Sequence, residues 1–217
     1  MPSQLAESMG KLDWSTLQQS LDRIGYAKLP PLLSTIDCRE IIGTYDSQEQ
    51  FRSTINMARY RFGIGEYKYY DAPLPSLLQE LREGLYPELA KTANRWLEQL
   101  RREAEYPATL TEFLHACHEE KQTRSTPLIL KYEAGGYNCL HQDIYGKVFF
   151  PFQVVFALSQ QGEDYNGGEF LLVEQRPRAR VKVMSSTLNK GKDSFSQPII
   201  VLYLEHVVTI RTHSAMA

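Results

Sequence analysis

The chain has 217 residues, a length that suits one domain or a domain with a helical annex. Apolar residues make up 42% and charged residues 23%, the proportions of an ordinary soluble globular protein, which excludes a disordered or fibrous chain. The net charge of −2 gives no global electrostatic reason to expect a nucleic acid or a membrane surface as partner, although a local basic patch is compatible with it.

The cysteines and the N-terminus set further bounds. Cys38, Cys117 and Cys139 form an odd set without a Cys-X-X-Cys spacing, which argues against a disulfide framework and against a zinc knuckle. Residues 1–10 lack the basic and apolar stretches of a signal peptide, and the longest apolar run, Ile199–Leu204, is too short to span a bilayer. We therefore expect a cytoplasmic protein with no membrane partner.

Two amphipathic helices are predicted at the start of the chain. Apolar residues recur at helical spacing through residues 11–25, where Asp13 is the expected N-cap. A second helix is expected over residues 36–45, capped by Ser34 or Thr35. We expect both helices to pack against a sheet.

Residues 51–71 are rich in aromatic and arginine side chains, among them Arg59, Tyr60, Arg61 and Phe62. Interleaved aromatic and cationic groups can stack on a base or bind an anionic substrate. The alternative, which we favour, is a tyrosine-rich hairpin packed on the core.

Two further helices are predicted over residues 73–103 and 109–120. Pro87 is expected near the start of a second segment of the first of these. His115 and His118 lie three residues apart on the other and can share a helix face, as metal ligands sometimes do. The sequence suggests no third ligand for them, so we do not expect a metal there.

From Pro127 onward the pattern changes to strands. Helices first and short strands later favour an α+β protein, a β-sandwich or jelly roll with a helical N-terminal layer. The predicted strands are residues 128–132, 137–143, 148–158 and 169–174.

One predicted strand places His141 and Asp143 two residues apart. Alternate residues of a strand point to the same face, so this imidazole and this carboxylate can aim at one point. They are two of the three ligands of the facial triad that holds a non-heme Fe(II). The alternative is a hydrogen-bonded pair on the surface.

Three segments of the chain resemble the Fe(II)/2-oxoglutarate-dependent dioxygenase superfamily, and more closely a bacterial prolyl-hydroxylase-like branch described as oxygenases of damaged nucleic acid. The resemblance runs from about Leu12 to Lys192. It implies a double-stranded β-helix (jelly roll) in which His141 and Asp143 ligate Fe(II) and Tyr132 hydrogen-bonds the carboxylate of 2-oxoglutarate. The segments are Tyr-Asn-Cys-Leu-His-Gln-Asp (137–143), Phe-Pro-Phe-Gln-Val-Val (150–155) and Gly-Gly-Glu-Phe-Leu-Leu-Val-Glu-Gln-Arg-Pro-Arg (167–178).

The same resemblance implies an oxidoreductase that uses Fe(II), O₂ and 2-oxoglutarate as co-substrate for hydroxylation or oxidative demethylation. A damaged nucleobase or nucleic acid is one expected substrate, and a protein or free amino acid is the alternative. A non-catalytic, cupin-like jelly-roll module that binds a small anion is a second kind of function compatible with the sequence.

The chain departs from the family pattern after about Lys192. The resemblance predicts a distal histidine ligand and a later arginine that pairs with 2-oxoglutarate, and residues 193–217 contain no match to that motif. His206 and Arg211 lie in this segment but only five positions apart, so we do not expect His206 to be the third ligand.

Codon degeneracy favours a shift of reading frame near Lys192. Read one frame over, the codons that can encode His206–Ile210 permit Arg-Gly-Tyr-Tyr, and those of Ser214–Ala217 permit Arg-His followed by an obligatory Gly. These are pieces of the missing motif in the expected order, and they correspond to the net loss of one nucleotide or the gain of two. We therefore expect a truncated and inactive form whose last strands are missing or non-native.

The expected organisation is a single dioxygenase-like domain. Residues 1–126 form its mainly helical N-terminal part and residues 127–192 hold the jelly-roll strands with the metal motif. Residues 193–217 form the out-of-frame tail.

Overall fold

The computed structural model describes residues 3–103, 105–141, 146–174, 182–187, 199–202 and 206–210. Its helices are α1 (Gln4–Gly10), α2 (Trp14–Ile24), α3 (Thr35–Gly43), α4 (Met57–Tyr60), α5 (Ser76–Gln99) and α6 (Leu110–Glu119), with single 3₁₀ turns at Thr44–Asp46 and Gln48–Gln50. Its strands are β1 (Tyr26–Lys28), β2 (Phe51–Asn56), β3 (Gly63–Ile64), β4 (Glu66–Tyr70), β5 (Leu128–Lys131), β6 (Tyr137–Asn138), β7 (Phe152–Val155), β8 (Glu169–Glu174), β9 (Lys182–Thr187), β10 (Ile199–Leu202) and β11 (His206–Ile210).

The helix ends follow the local sequence. The Asp13 side chain accepts a hydrogen bond at the start of α2, so this predicted N-cap is confirmed. Of the alternatives, Ser34 caps α3, where it forms a capping box with Asp37. A second capping box, formed by Thr109 and Glu112, begins α6.

The predicted break at Pro87 is wrong, because α5 runs unbroken through this residue. A proline inside a helix loses one backbone hydrogen bond and crowds the preceding turn. Leu85 and Leu89, on either side of it, are both buried in the core. The packing of α5 in the core therefore outweighs the free-energy cost of the hydrogen bond lost at Pro87.

Two predicted strands are shorter than expected. The strand predicted over residues 148–158 is reduced to β7, since Pro151 has no N–H to give to a ladder. Of the strand predicted over residues 137–143, the part that the structure describes, up to His141, has only β6 as a strand, and the carbonyl of Cys139 bonds the His141 side chain. The remainder of that prediction lies outside the described residues.

The strands form small antiparallel sheets that join distant parts of the chain. Strand β10 lies between β1 and β7, and β4 lies between β2 and β5. Strand β8 lies between β11 and β9, while β3 pairs with β6 as a two-stranded ribbon. The protein is therefore a mixed helix and strand fold in which early strands share sheets with late ones.

The late segment contributes strands to this architecture. Strands β10 and β11 both lie after Lys192, so the expectation that the last strands are missing is wrong for them. That their sequence is non-native stays a prediction, and so does the division of the domain at residues 126 and 192.

An aromatic cluster ties the segment before β7 to the helices. The ring centroid of Phe150 lies 5.0 Å from that of Tyr86 in α5, 5.5 Å from that of Phe113 in α6 and 5.3 Å from that of Tyr106. Aromatic rings at these separations stabilise the fold by more than the burial of their apolar surface alone. The cluster thus joins the helical layer to the sheets.

The helices of the described ranges are too short or too polar to cross a lipid bilayer.

Candidate metal and substrate site

The β3–β6 ribbon leads directly to the predicted metal ligand. Gly63 pairs with Asn138 and Ile64 with Tyr137, and the Cys139 N–H donates to the carbonyl of Phe62 over 2.7 Å. Residues on the two faces differ sharply in exposure. Gly63 and Asn138 are buried, whereas their neighbours in sequence on both strands are exposed. One face of the ribbon therefore packs inward and the other meets solvent.

Only glycine fits at the first position of β3. Gly63 has φ +141°, and a Cβ placed there would lie 2.1 Å from the carbonyl oxygen of Tyr137. Real Cβ atoms do not approach an oxygen so closely. Gly63 thus lets the two backbones approach closely enough to pair.

Tyr132 is held against the same ribbon. A Cβ on Gly65 would lie 2.7 Å from its Cδ1 atom, and one on Gly136 would lie 3.1 Å from its Cβ. The hydroxyl oxygen of Tyr132 is buried. Gly65 and Gly136 therefore leave room for the tyrosine that the family resemblance singled out.

His141 follows the ribbon and is oriented by the backbone. Its Nδ1 lies 2.7 Å from the carbonyl oxygen of Cys139. A carbonyl can only accept, so in the neutral imidazole Nδ1 carries the proton and Nε2 the lone pair. A histidine that binds a metal commonly donates its other ring N–H to such an oxygen. The arrangement fits a metal ligand that acts through Nε2.

The other predicted ligands are placed as follows. Asp143 and Arg211 lie outside the described residues. His206 is the first residue of β11, a strand that lies beside β6, but its side chain is not among those described. His115 is exposed and lies 3.6 Å from the Glu119 carboxylate on its own helix. Within the described ranges no three His, Cys, Asp or Glu side chains are grouped as a metal site would require.

The predicted packed hairpin is confirmed for part of the aromatic segment. Strands β2 and β4 pair, Tyr70 is buried, and its ring centroid lies 4.6 Å from that of Phe51. The guanidinium of Arg52 lies 4.2 Å above the ring of Tyr69, and its Nε donates to the Ser125 carbonyl. These side chains have structural partners.

Three further side chains of the segment, Tyr60, Phe62 and Ile64, are exposed. Tyr137 in β6 and Leu140 after it are exposed as well. Between 37% and 53% of each side chain in this group is exposed. The rings of Tyr60 and Phe62 are stacked, with centroids 5.7 Å apart and planes 20° apart. We call this group the ribbon surface; its members are Tyr60, Phe62, Ile64, Tyr137 and Leu140.

Sequence reasoning singled out the first two members of the ribbon surface but missed the other three. Ile64 and Tyr137 are 73 positions apart in the chain, and only the β3–β6 pairing makes them neighbours. Exposed and buried residues alternate around Gly63, but the segment is too short for its sequence pattern to predict a strand.

Two arginines flank the ribbon surface. The guanidinium of Arg59 lies 6.0 Å from the ring centroid of Tyr60, and Arg61 caps the end of α4 with φ +61°. Both side chains are exposed. Among the described side chains, the ion pairs include neither arginine.

Comparison with known proteins gives a family and a fold. Residues 65–197 match a protein family described as "Oxygenase, catalysing oxidative methylation of damaged DNA". Two proteins of Mycobacterium tuberculosis, from strains CDC 1551 / Oshkosh and ATCC 25618 / H37Rv, are each 48% identical over 122 residues and are both titled uncharacterized. That match covers 56% of this chain and 52% of each relative, so the chain spans about half the length of these curated relatives.

A solved structure shares the overall fold. The crystal structure of a Pseudomonas putida prolyl-4-hydroxylase aligns with a TM-score of 0.52 at 10% sequence identity. The alignment covers 93% of this chain and 92% of that one. At this identity the likeness concerns the fold alone.

Proposed function

The chain belongs to the family of oxygenases described as catalysing oxidative methylation of damaged DNA, and we propose that it has the framework of an Fe(II)- and 2-oxoglutarate-dependent oxygenase whose reading frame is shifted near Lys192. Hydroxylation or oxidative demethylation of a damaged nucleobase is the reaction of the unshifted protein. The observation that supports this most directly is the orientation of His141, whose Nδ1 is hydrogen-bonded to a backbone carbonyl.

The metal would be held by His141 and Asp143. An imidazole nitrogen and a carboxylate oxygen are the donor types of the non-heme iron triad. When bound, Fe(II) with O₂ and 2-oxoglutarate supplies the oxidation of a substrate C–H bond, with succinate and CO₂ as the other products. The hydrogen bond to Cys139 fixes the imidazole ring, so the chain itself contributes a ligand of set orientation.

Tyr132 would bind the keto acid. Its hydroxyl oxygen is buried, its ring lies against Gly65 and its Cβ against Gly136, next to the ribbon that leads to His141. A phenol O–H held in a protected position can donate to a carboxylate with little loss of side-chain freedom. The likeness to a prolyl hydroxylase fold supports a double-stranded β-helix around this site.

Because of the proposed frame shift, we expect this 217-residue form to be inactive. The family match ends at residue 197, shortly after Lys192, which supports a change of frame there. The distal histidine and the arginine of the family motif have no match in residues 193–217. A site with two ligands holds Fe(II) weakly, and without the arginine the far carboxylate of 2-oxoglutarate has no partner from that motif.

The test compares this chain with a version in which the frame is restored after Lys192. Both are supplied with Fe(II), 2-oxoglutarate, O₂ and DNA carrying methylated bases, and succinate and base modification are measured. The restored protein should turn over and the chain as written should not. In the restored protein His141→Ala should abolish succinate formation, while His115→Ala, which changes an exposed histidine on α6, should leave it intact.

Two results would contradict the proposal. Turnover by the chain as written would remove the claim of inactivity. A gene sequence without an alternative frame that encodes Arg-His-Gly would remove the frame shift.

A cupin-like binding module for a small anion is the second candidate function. Such a module needs no metal, so His141→Ala would leave its affinity for a small anion unchanged. Calorimetric titration with Fe(II), and separately with 2-oxoglutarate, distinguishes the two functions. Succinate formed with a peptide or a free amino acid, but not with DNA, would instead identify an amino-acid hydroxylase.

A further inference from the structure

Exposed apolar side chains are concentrated on the β3–β6 ribbon. Of the eight large apolar residues exposed in the described ranges, five form the ribbon surface. Scattered exposed apolar residues need no explanation, but a contiguous group usually marks a site of interaction. The strand pairing explains the exposure of Phe62, Ile64 and Tyr137, because Gly63 and Asn138 take the inward positions of the ribbon.

The geometry of this surface suits flat, unsaturated rings. Tyr60 and Phe62 are already stacked at 5.7 Å, and each is about half exposed. A stacked pair with an exposed outer face can be extended by another ring. Every nucleobase has such a face, and stacking on aromatic side chains binds bases with little preference for sequence.

The charges around the surface favour an anion. Arg59 and Arg61 are exposed beside the rings. The nearest described carboxylates along the chain both have partners: Glu66 accepts a hydrogen bond from Tyr45, and Glu133 lies 3.9 Å from Lys131. A guanidinium binds a phosphate through paired hydrogen bonds. The protein as a whole carries a net charge of −2, so this positive patch is a local feature that overall charge does not explain.

We propose that the ribbon surface is a stacking platform for unpaired bases of single-stranded nucleic acid, with Arg59 and Arg61 binding the adjacent phosphates. This inference rests on the proposed function, since it gives the substrate of the His141 site a place to dock. The platform ends at Leu140, next to His141, so a strand that lies on it passes the predicted metal ligand. The bases of a duplex are stacked on one another, so duplex DNA should bind more weakly.

The test is fluorescence anisotropy with a labelled oligodeoxynucleotide of mixed sequence, about 16 nucleotides long, the upper range for one small domain. It is run without metal or 2-oxoglutarate, on the chain as it is. Tyr60→Ala and Phe62→Ala should each weaken binding about 5- to 150-fold, the loss of one stacked base. Ile36→Ala is the matched control, because Ile36 is exposed to 76% on α3 and should leave affinity unchanged.

The arginines are tested through salt dependence, which a purely structural role would not change. Each phosphate contact with a single strand contributes about −0.7 to the slope of log affinity against log salt concentration. The double variant Arg59→Gln/Arg61→Gly should therefore flatten the slope by about 1.4. Glycine is chosen at position 61 because the left-handed backbone there accepts it without strain.

Several results would overturn the platform. These are no binding of the single strand by the parent protein, equal or tighter binding of the duplex, or folded Tyr60→Ala and Phe62→Ala variants with parental affinity. Self-association that these two variants abolish, or tighter binding of a labelled proline-rich peptide, would assign the surface to a second copy or to a polypeptide instead.

Failure of the platform can be distinguished from failure of the proposed function. Oligonucleotide affinity is measured without metal or 2-oxoglutarate, so it does not depend on whether the His141 site is active. Binding together with absence of turnover in the frame-restored protein would keep the platform and reject the oxygenase. Turnover of DNA by a restored Tyr60→Ala/Phe62→Ala protein with unchanged KM would reject the platform and keep the oxygenase.

Discussion

Arg61 both ends helix α4 and presents an exposed charge. It is the C-cap of α4 and adopts φ +61°, since the chain must turn there from the helix into β3. A side chain with a Cβ costs about 1 kcal/mol in this left-handed region, and glycine does not pay it. An arginine at this position therefore sacrifices stability, which is consistent with a role for its exposed guanidinium.

Replacing this arginine should stabilise the protein. We expect Arg61→Gly to raise the free energy of unfolding by about 1 kcal/mol, measured by urea denaturation. Arg59→Gly, two residues earlier within the helix, should lower it by about 1 kcal/mol, because glycine is a poor helix former. A loss of stability in Arg61→Gly would mean that the arginine side chain makes packing contacts that outweigh the strain.

For His141, the sequence spacing and the folded backbone give different information. The two-residue spacing to Asp143 identified it as a candidate ligand. The hydrogen bond from its ring to the Cys139 carbonyl, which decides which nitrogen holds the lone pair, required the folded backbone. His115 and His118 had a comparable pattern in sequence, and the structure places the exposed His115 ring 3.6 Å from the Glu119 carboxylate.

At the scale of elements, β3 is too short to be recognised as a strand, and its pairing with β6 cannot be read from either segment alone. Its register depends on Gly63, where any Cβ would meet the opposite carbonyl. Local propensity gives no strand signal for a segment of two residues. The long-range pairing is therefore the property that creates the surface beside His141.

Gly63→Ala should break this element. The positive φ and the 2.1 Å contact with the Tyr137 carbonyl together predict a loss of roughly 2–4 kcal/mol in the free energy of unfolding. Hydrogen exchange should also quicken at the Cys139 amide, which donates to Phe62. Gly43→Ala is the matched control, since its Cβ meets no atom within 4 Å, and helix propensity should make it neutral or slightly stabilising. Equal effects of the two substitutions would contradict the steric account.

At the scale of the whole molecule, buried tyrosines join the helical layer to the sheets. Burial raises the pKa of Tyr106 to about 12 and raises the pKa of Tyr86 as well. Both rings pack on Phe150, so the neutral phenols belong to the contact between layers. Ionising either group in the folded state would place a charge in this cluster.

Because Tyr106 is buried, we expect the free energy of unfolding to fall at alkaline pH. An unfolded tyrosine ionises near pH 10, whereas folded Tyr106 keeps its proton to about pH 12, so unfolding in this window releases a proton. Its contribution is fully present below pH 10 and is lost as the pH rises toward 12. Urea unfolding measured at several pH values should therefore show falling stability.

Two variants make this pH prediction specific. In Tyr106→Phe the decline above pH 10 should be shallower, because one titrating group has been removed. Phe113→Leu changes packing in the same cluster without removing a titrating group, and should lower stability equally at all pH values. Parallel profiles for the parent protein and Tyr106→Phe would contradict the assignment.

The sequence alone determined the features that depend on neighbours along the chain. These include the cap at Asp13, the choice of a cap for α3 between Ser34 and Thr35, the helix over residues 109–120, and a family motif centred on His141. Each is set by side chains within a few residues of one another, so local physics is sufficient.

Tertiary structure decided the features that depend on contacts across the chain. Helix α5 continues through Pro87 because core packing offsets the lost hydrogen bond, and β10 takes its place between β1 and β7 through pairing with both. The ribbon surface forms because β3 pairs with β6, which is far away in sequence, and this pairing places Ile64 beside Tyr137. The sequence supplied the ligand residue, and the pairing of distant strands supplied the exposed aromatic surface beside it.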